Sequence, residues 1–443
     1  MTDGAELLAP GDKAYAAATR PHNSVGVQRP AFVARPQDAD DVAAVVAECA
    51  RRGLTALPQA TGHGAGGTVG DDTVLVDTSA LNDIAIDAQA AVARVGAGVT
   101  WGAVNAAAEQ HGLLGLAGSA PSVCPSGYTF GGGIGWLCRP HGMAAGALRS
   151  VVYVDGQGTV RTASDDAADE LDREAIFAFR GGGGVGIATT LEFDLFAVED
   201  LYAGYLLWPA EALDAVVAAW VRTIDDVGDD VSTSISLLHA PPAPPFPEAL
   251  RGTPVVHLAV AASRGPAGAQ VLLDSVRSAV EPAADTWGKA DAATLGSIHL
   301  DPPPGTPAIG QARWLDASAP GLVAAALTVA APADAPLAMI EVRSVGNTAA
   351  ARPGAESSVP GPFVVHAVGG PPAGEDGRRA LQQAFDAVRA AVAPADTGRS
   401  LGSWVEGATS VPDALPVETR TRVREIADHV DPHGTIARSR VLV

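Results

Sequence analysis

The chain has 443 residues, of which 47% are hydrophobic, and its 50 acidic and 29 basic residues give a net charge of −21. This length exceeds what one hydrophobic core usually serves, so we expect two domains. Nucleic acids and anionic membrane surfaces attract clustered Lys and Arg, so the acidic composition argues against both as partners.

The N-terminus has no basic region followed by an apolar run, and the sequence has no stretch of about 18 uninterrupted apolar residues. It therefore predicts neither a signal peptide nor a membrane span. The cysteines, Cys49, Cys124 and Cys138, are too scattered for a disulfide framework or a zinc site. We expect a cytoplasmic protein without a metal site.

The first half of the chain alternates strand and helix patterns around glycine-rich joints. Residues 30–54 predict a strand and then a helix capped by Asp38 or Asp40, and residues 148–164 predict a β-hairpin. Near residue 200 the glycine clusters stop, and strand–helix pairs predict one sheet with helices on one face. The predicted divisions are residues 1–199, 200–398 and, returning to the first domain, 399–443.

Glycine is concentrated in three clusters, at residues 60–72, 115–147 and 179–198. Two of them match G-x-G-x-x-G, but strand-like residues follow each match where the dinucleotide-binding motif requires a helix, so we reject that motif. Glycine also leaves backbone N–H groups free to form an anion-binding concavity. Because Lys13 and Lys289 are the only lysines, a phosphate would depend on such groups. Tight turns remain the alternative for any single cluster.

These clusters resemble the flavin-binding segments of a known enzyme family. "LPQATGHGAGG" is similar to R-G-G-G-H-S-x-x-G of flavoenzymes of the vanillyl-alcohol oxidase type, in the branch of berberine bridge enzyme and hydroxynicotine oxidase. "GSAPSVCPSGYTFGGGIGWLCRPHGMAAGAL", "FRGGGGVGIATTLEF" and "DHVDPHGTIARSRVL" resemble its later segments, in the same order. The resemblance covers most of the chain. It implies an α+β fold of two domains, a PCMH-type FAD-binding domain and a substrate domain built on an antiparallel sheet covered by helices.

The resemblance implies FAD as the cofactor, bound covalently through His63. The implied FAD-contacting residues are Ala60, Thr61, Gly62, His63, Gly64, Ala65, Gly66, Gly67, Ala120, Pro121, Cys124, Gly127, Tyr128, Gly131, Gly132, Gly135, Gly186 and Ile187. Family members with a second covalent link carry a cysteine where this chain has Ala120, so we expect Cys124 to be a packed thiol. The family's Asn-Phe pair in the third segment is shortened to Val185, and its Y-x-N-F/Y motif is replaced near Ser403 and Trp404.

The implied reaction is hydride transfer from an alcohol or amine carbon of a small molecule to flavin N5, with molecular oxygen as the acceptor that reoxidises the flavin. A dehydrogenase with another acceptor is one alternative. An FAD-binding protein that has lost catalysis is another, which the altered residues 403–404 favour.

The candidate catalytic residues are Glu341, His366 and Trp404. Glu341 and Arg343 alternate with Val342, so they share one sheet face, and His366 could lie on the neighbouring strand. We predict His366 as the base, with a pKa within a unit or so of about 6.5, and Trp404 as a wall. In the alternative interpretation, Glu341 and Arg343 pair at the domain interface and His366 is a hydrogen-bonded core residue.

Overall fold

The computed structural model describes residues 4–443, so residues 1–3 of the predicted first domain lie outside it. A four-stranded sheet lies nearest the N-terminus. Its strands, in spatial order, are Glu6–Leu8, Phe32–Arg35, Thr73–Asp77 and Thr55–Gln59. Helix Ala39–Arg52 covers this sheet with its buried residues, and its N-terminus is capped by the Asp38 carboxylate, which accepts from the Asp41 N–H. The predicted strand and capped helix are therefore confirmed, with Asp38 as the cap.

A five-stranded antiparallel sheet forms the second layer of this part of the chain. Its strands, in spatial order, are Val160–Ser164, Leu148–Val154, Ile187–Asp194, Val92–Gly96 and Ile84–Asp87. The predicted hairpin at residues 148–164 is confirmed by the pairing of the first two. The helices around this sheet are Trp101–Glu109, Pro125–Phe130, Cys138–His141, Ala144–Ala147, Glu170–Phe179 and, from the C-terminal part, Val417–Val430.

A nine-stranded antiparallel sheet dominates the rest of the chain. Its strands, in spatial order, are Ala284–Asp285, Tyr202–Pro209, Pro254–Ala262, Val231–His239, Leu337–Ser344, Phe363–Gly369, Ile309–Leu315 and Asp396–Ser400, with Gly288–Lys289 also pairing with Tyr202–Pro209. Helices Leu213–Thr223, Gln270–Ala279, Val323–Thr328 and Gly374–Val392 bury one face of this sheet. The expected antiparallel sheet covered by helices is confirmed. The predicted division after residue 398 falls inside its last strand.

The alternation of side chains gives the large sheet two different faces. Ile235, Leu258 and Val342 pack under the helices. The opposite face, which we call the inner face, packs on the second glycine cluster, where Trp314 and Met143 belong to one buried group. The inner face therefore lies over the first domain. Within residues 4–443, no helix combines the length and the apolar character that crossing a bilayer requires.

Candidate functional site

The first glycine cluster forms an open loop after strand Thr55–Gln59. A Cβ atom on Gly66 would lie 2.5 Å from the carbonyl oxygen of Gly407, so the two backbones touch there. A Cβ on Gly64 would meet only the guanidinium of Arg440, at 3.8 Å. Among residues 62–67, which the structure describes completely, only the Ala65 N–H donates to a protein acceptor. The other N–H groups of this loop are therefore available to an anion.

His63 is held inside this loop as a neutral imidazole. Its Nε2 lies 3.0 Å from the Ser122 hydroxyl, and its ring stacks on that of His22. Burial, followed by the proximity of His22, lowers the pKa of His63 to about 4. Because Ser122 occupies Nε2, Nδ1 is the nitrogen left for another bond.

No sequence motif surrounds His22, so the sequence did not indicate that His22 belongs to the site. Backbone hydrogen bonds hold it beside His63. The His22 N–H donates to the Thr61 carbonyl at 2.9 Å, and the next N–H, of Asn23, donates to Gly62 at 3.2 Å. Residues 22–23 therefore run alongside the first glycine loop.

Ala120 and Pro121 precede Ser122 in the loop that reaches His63. The Cys124 thiol, at the start of helix Pro125–Phe130, donates to the Gly98 carbonyl at 3.4 Å. Burial raises the pKa of this thiol to about 12, so it stays protonated. A packed thiol was the expectation for Cys124, and the geometry agrees with that role.

Gly127, Tyr128, Gly131, Gly132 and Gly135 follow in and after that helix. A Cβ on Gly131 would lie 3.2 Å from that of Ser403, so the C-terminal turn Gly402–Trp404 packs directly on this segment. The Tyr128 hydroxyl is buried without a hydrogen-bond partner among the described residues.

The third cluster joins helix Glu170–Phe179 to strand Ile187–Asp194 of the five-stranded sheet. Gly186 has a φ of 76°, and a Cβ there would lie 2.6 Å from the Val154 carbonyl, so glycine is required by the close strand. The following Ile187 is fully buried in the core beneath helix Ala39–Arg52. Gly186 therefore allows two strands to approach closely, and Ile187 packs in the core.

The inner face carries a chain of alternating charges. Both oxygens of Glu341 are engaged, Oε1 by Arg343 Nε at 2.8 Å and Oε2 by His299 Nε2 at 3.0 Å. His299 Nδ1 in turn lies 2.8 Å from Asp301. Burial alone would lower the pKa of His299, but the carboxylates of Asp301 and Glu341 outweigh it and raise that pKa to about 10. Burial opposes ionisation of Glu341, yet Arg343 and His299 hold its pKa well below the usual value.

Two tryptophans hold the guanidinium of Arg343. Its Cζ lies 4.1 Å from the ring centroid of Trp136 and 4.6 Å from that of Trp404. Trp404 also reaches His366, with the two ring centroids 5.0 Å apart. The predicted residues Glu341, His366 and Trp404 therefore lie around one centre, between the inner face of the large sheet and the second glycine cluster.

His366 differs from its prediction in two respects. It stands directly opposite Glu341 in the strand register, yet its Nε2 is buried without a hydrogen-bond partner among residues 4–443. Burial lowers its pKa to about 4, whereas we expected a pKa near the unperturbed value of a histidine. That expectation was wrong because it ignored the cost of burying an imidazolium.

Glu406 is a further ionisable group at this centre, and the sequence did not reveal it. Its backbone pairs with that of Gly310 through N···O distances of 3.1 and 3.2 Å. Burial, followed by the charge of Asp301, raises the pKa of its carboxyl to about 7. The altered residues Ser403 and Trp404 did not point to Glu406, because the residues that surround Glu406 are distant from it in the sequence.

These residues fit FAD. The free N–H groups of residues 62–67 suit a pyrophosphate, and His63 offers a neutral nitrogen. Buried donors without partners in the described chain lie between the second glycine cluster and the inner face, and such donors can bond the polar edge of a flavin ring. They are the Tyr128 hydroxyl, Trp136 Nε1, Arg343 Nη1 and the Ser403 hydroxyl.

Comparison with known proteins agrees with this fit. Residues 30–164 match the sequence family described as FAD binding domain. (R)-6-hydroxynicotine oxidase of Paenarthrobacter nicotinovorans is 28% identical over 52% of this chain and 50% of its own length. Reticuline oxidase of Papaver somniferum is 26% identical over 47% of this chain and 40% of its own length. The chain thus matches about half, or less, of the length of these curated relatives.

Solved structures resemble the whole chain. The crystal structure of 6-hydroxy-D-nicotine oxidase from Arthrobacter nicotinovorans has a TM-score of 0.82 at 21% identity, covering 100% of this chain and 98% of that one. BBE-like 1 of Physcomitrella patens has a TM-score of 0.80 at 17% identity, covering 99% and 97%. At these identities the likeness establishes the fold.

Proposed function

We propose that the chain is an FAD-linked oxidoreductase related to berberine bridge enzyme, and that it oxidises an alcohol or amine carbon of a small molecule, with molecular oxygen as the final acceptor. When bound, FAD supplies the oxidant that accepts the substrate hydride. The observation that carries the proposal is the convergence of unpartnered buried polar atoms between the inner face and the glycine clusters.

The first glycine loop holds the cofactor. The unbonded N–H groups of residues 62–67 bind the pyrophosphate, since the loop has no lysine. His63 forms the covalent link through Nδ1, because Ser122 occupies Nε2 and the low pKa keeps the ring neutral. Cys124 forms no second link, because its thiol is protonated and bonded to Gly98.

The inner face orients the substrate. Arg343 is fixed by Glu341, by the Ser119 hydroxyl at 3.0 Å and by its two tryptophans, so it presents a rigid positive charge beside the ring. Trp404 forms a wall between Arg343 and His366. Glu341 is a poor proton acceptor, because both its oxygens are already engaged by cations.

Residues 299–308 close one side of the site. This segment leaves the sheet domain and is bound to the N-terminal part of the chain, where Asn23 and Ala308 exchange two hydrogen bonds of 2.9 and 3.0 Å. The same segment carries His299 and Asp301. It therefore limits the access of water while it supplies two charges to the inner face.

The test is an anaerobic screen of the purified protein against secondary alcohols, sugars and cyclic amines, in which loss of flavin colour is followed. We expect bleaching by one class, and rapid return of colour when air is admitted. Bleaching with slow reoxidation in air would favour the dehydrogenase alternative. Stable FAD binding with no bleaching by any class would favour a protein that binds FAD without catalysis.

A further inference from the structure

Gly310 opens a small space on the inner face. It lies in strand Ile309–Leu315 and lacks the left-handed conformation that would by itself require glycine. A Cβ atom there would lie 3.1 Å from Cγ of Glu406 and 3.2 Å from Nε2 of His366. The absent side chain is therefore what lets these two groups approach the same point.

Both groups reach this space without a partner. Among residues 4–443, the carboxyl of Glu406 makes neither a hydrogen bond nor an ion pair, although Arg440 lies near. Arg440 instead donates to the carbonyls of Val405 and Gly402. His366 Nε2 is also unpartnered. Buried polar groups are normally hydrogen-bonded, so the unpartnered Nε2 of His366 indicates a ligand at this place. Glu406 is half-buried, and its Cγ lies beside the same point.

The charges around Glu406 come from two segments of the chain. Asp301 and His299 lie in residues 299–308, which close one side of the site, and Arg440 lies in the C-terminal stretch. Burial and Asp301 favour the neutral acid, while Arg440 and His299 favour the carboxylate. His366, on the neighbouring strand, is itself neutral near neutral pH. These opposing influences leave Glu406 able both to take up and to release a proton.

We propose that Glu406 is the proton acceptor of the reaction, and that His366 positions the reacting hydroxyl or amine across the gap above Gly310; this inference rests on the proposed function. The O–H or N–H bond of the substrate breaks, and its proton binds a Glu406 oxygen. The electron pair of that bond forms the C=O or C=N double bond as the hydride leaves the carbon for the FAD oxidant. Glu406 then returns its proton to solvent.

The first experiment measures the pH dependence of flavin reduction in single turnover, on the holoenzyme. The wild-type rate should rise as the pH rises through about 7, because Glu406 must be ionised. In Glu406→Gln the rate should fall by about 100-fold or more, and the step near that pH should vanish. His366→Gln should lower the rate, raise the substrate concentration needed for half-saturation, and keep the step.

Gly310→Ala tests the gap itself. Its added methyl group should slow reduction while FAD remains bound, because the methyl narrows the space between Glu406 and His366 that the substrate's reacting group would enter. Glu425→Gln, on the exposed side of helix Val417–Val430, is the matched control and should behave as the wild type.

A second readout does not depend on activity. Difference infrared spectra of the protein with labelled glutamate should show a carboxyl that titrates near 7, which we assign to Glu406. Glu406→Gln should remove that signal.

The two possible failures are distinguishable. A wild-type protein whose flavin no substrate reduces would contradict the proposed function. A wild-type protein that is reduced, with the same rate and pH step in Glu406→Gln, would overturn the inference alone. Loss of the step in His366→Gln would also overturn it, because His366 would then be the acceptor.

Discussion

The imidazole rings of His22 and His63 stack with their centroids 3.4 Å apart and their planes inclined by 18°. A proton on either ring would be repelled by a proton on the other, and both rings have a lowered pKa. Burial and this stack together keep His63 neutral, and the stack fixes the orientation of its ring, as a nucleophilic nitrogen requires.

The first prediction is that His63→Ala loses covalent flavin. Acid precipitation of the wild type should leave the yellow colour in the pellet, whereas the variant should release its flavin into the supernatant. His111→Ala, at an exposed histidine, is the control and should keep the colour in the pellet. Equal amounts of pelleted flavin in wild type and His63→Ala would exclude this attachment.

The second prediction is a single covalent link. Peptide mapping of the digested protein should find flavin only on the peptide that contains His63. Cys124→Ser should keep all its covalent flavin, because the thiol is protonated and engaged by Gly98. A flavin-bearing peptide with Cys124 would contradict the packed thiol.

The third prediction separates two glycines of the first loop. Gly64→Val should leave the stability of the flavin-free protein within about 0.5 kcal/mol of the wild type, because that position is open. It should nevertheless abolish FAD retention, because a side chain there would stand between the loop N–H groups and the pyrophosphate.

Gly66→Val is the contrasting variant. Its Cβ would collide with the Gly407 carbonyl, so the flavin-free protein itself should be destabilised. Thermal unfolding and absorbance of bound flavin measure the two effects. Normal FAD retention in Gly64→Val would argue against binding by this backbone.

The fourth prediction concerns pH and stability. Removing the His299 ring from the fully buried Glu341 and the more exposed Asp301 should cost about 3 kcal/mol in the free energy of unfolding. Its pKa in the folded protein is about 10 against 6.5 ordinarily, so its contribution is complete below 6.5 and is lost as the pH rises through 10. The difference between wild type and His299→Gln should therefore shrink over that range.

Urea unfolding at several pH values measures this difference. The reference is His111→Gln, whose exposed ring should leave stability unchanged at each pH. A difference that stays constant up to the highest pH would show that His299 is not held as a cation.

Local patterns in the sequence located part of this site. The two-residue period of a strand placed Glu341 and Arg343 on one face, and the structure brings His366 into register beside them. Glycine density located the loops. The roles of these residues in binding and catalysis stay predictions.

The long-range contacts of the site could not be predicted from local sequence patterns. His22 reaches the site by pairing with Thr61, and Glu406 by pairing with Gly310. Asp301 reaches it through His299, in a segment whose prolines indicate only a loop. Each depends on residues distant in the chain, and no periodicity or spacing encodes such a pairing.

The position of Arg440 has a consequence for biosynthesis. Its guanidinium stands beside Gly64 and joins the Val405 and Gly402 carbonyls, so residues from widely separated parts of the chain complete one wall. A nascent polypeptide translated only as far as the last strand of the large sheet would lack that wall, although its glycine loops had long left the ribosome. We therefore expect flavin capture only after residue 440 has been translated.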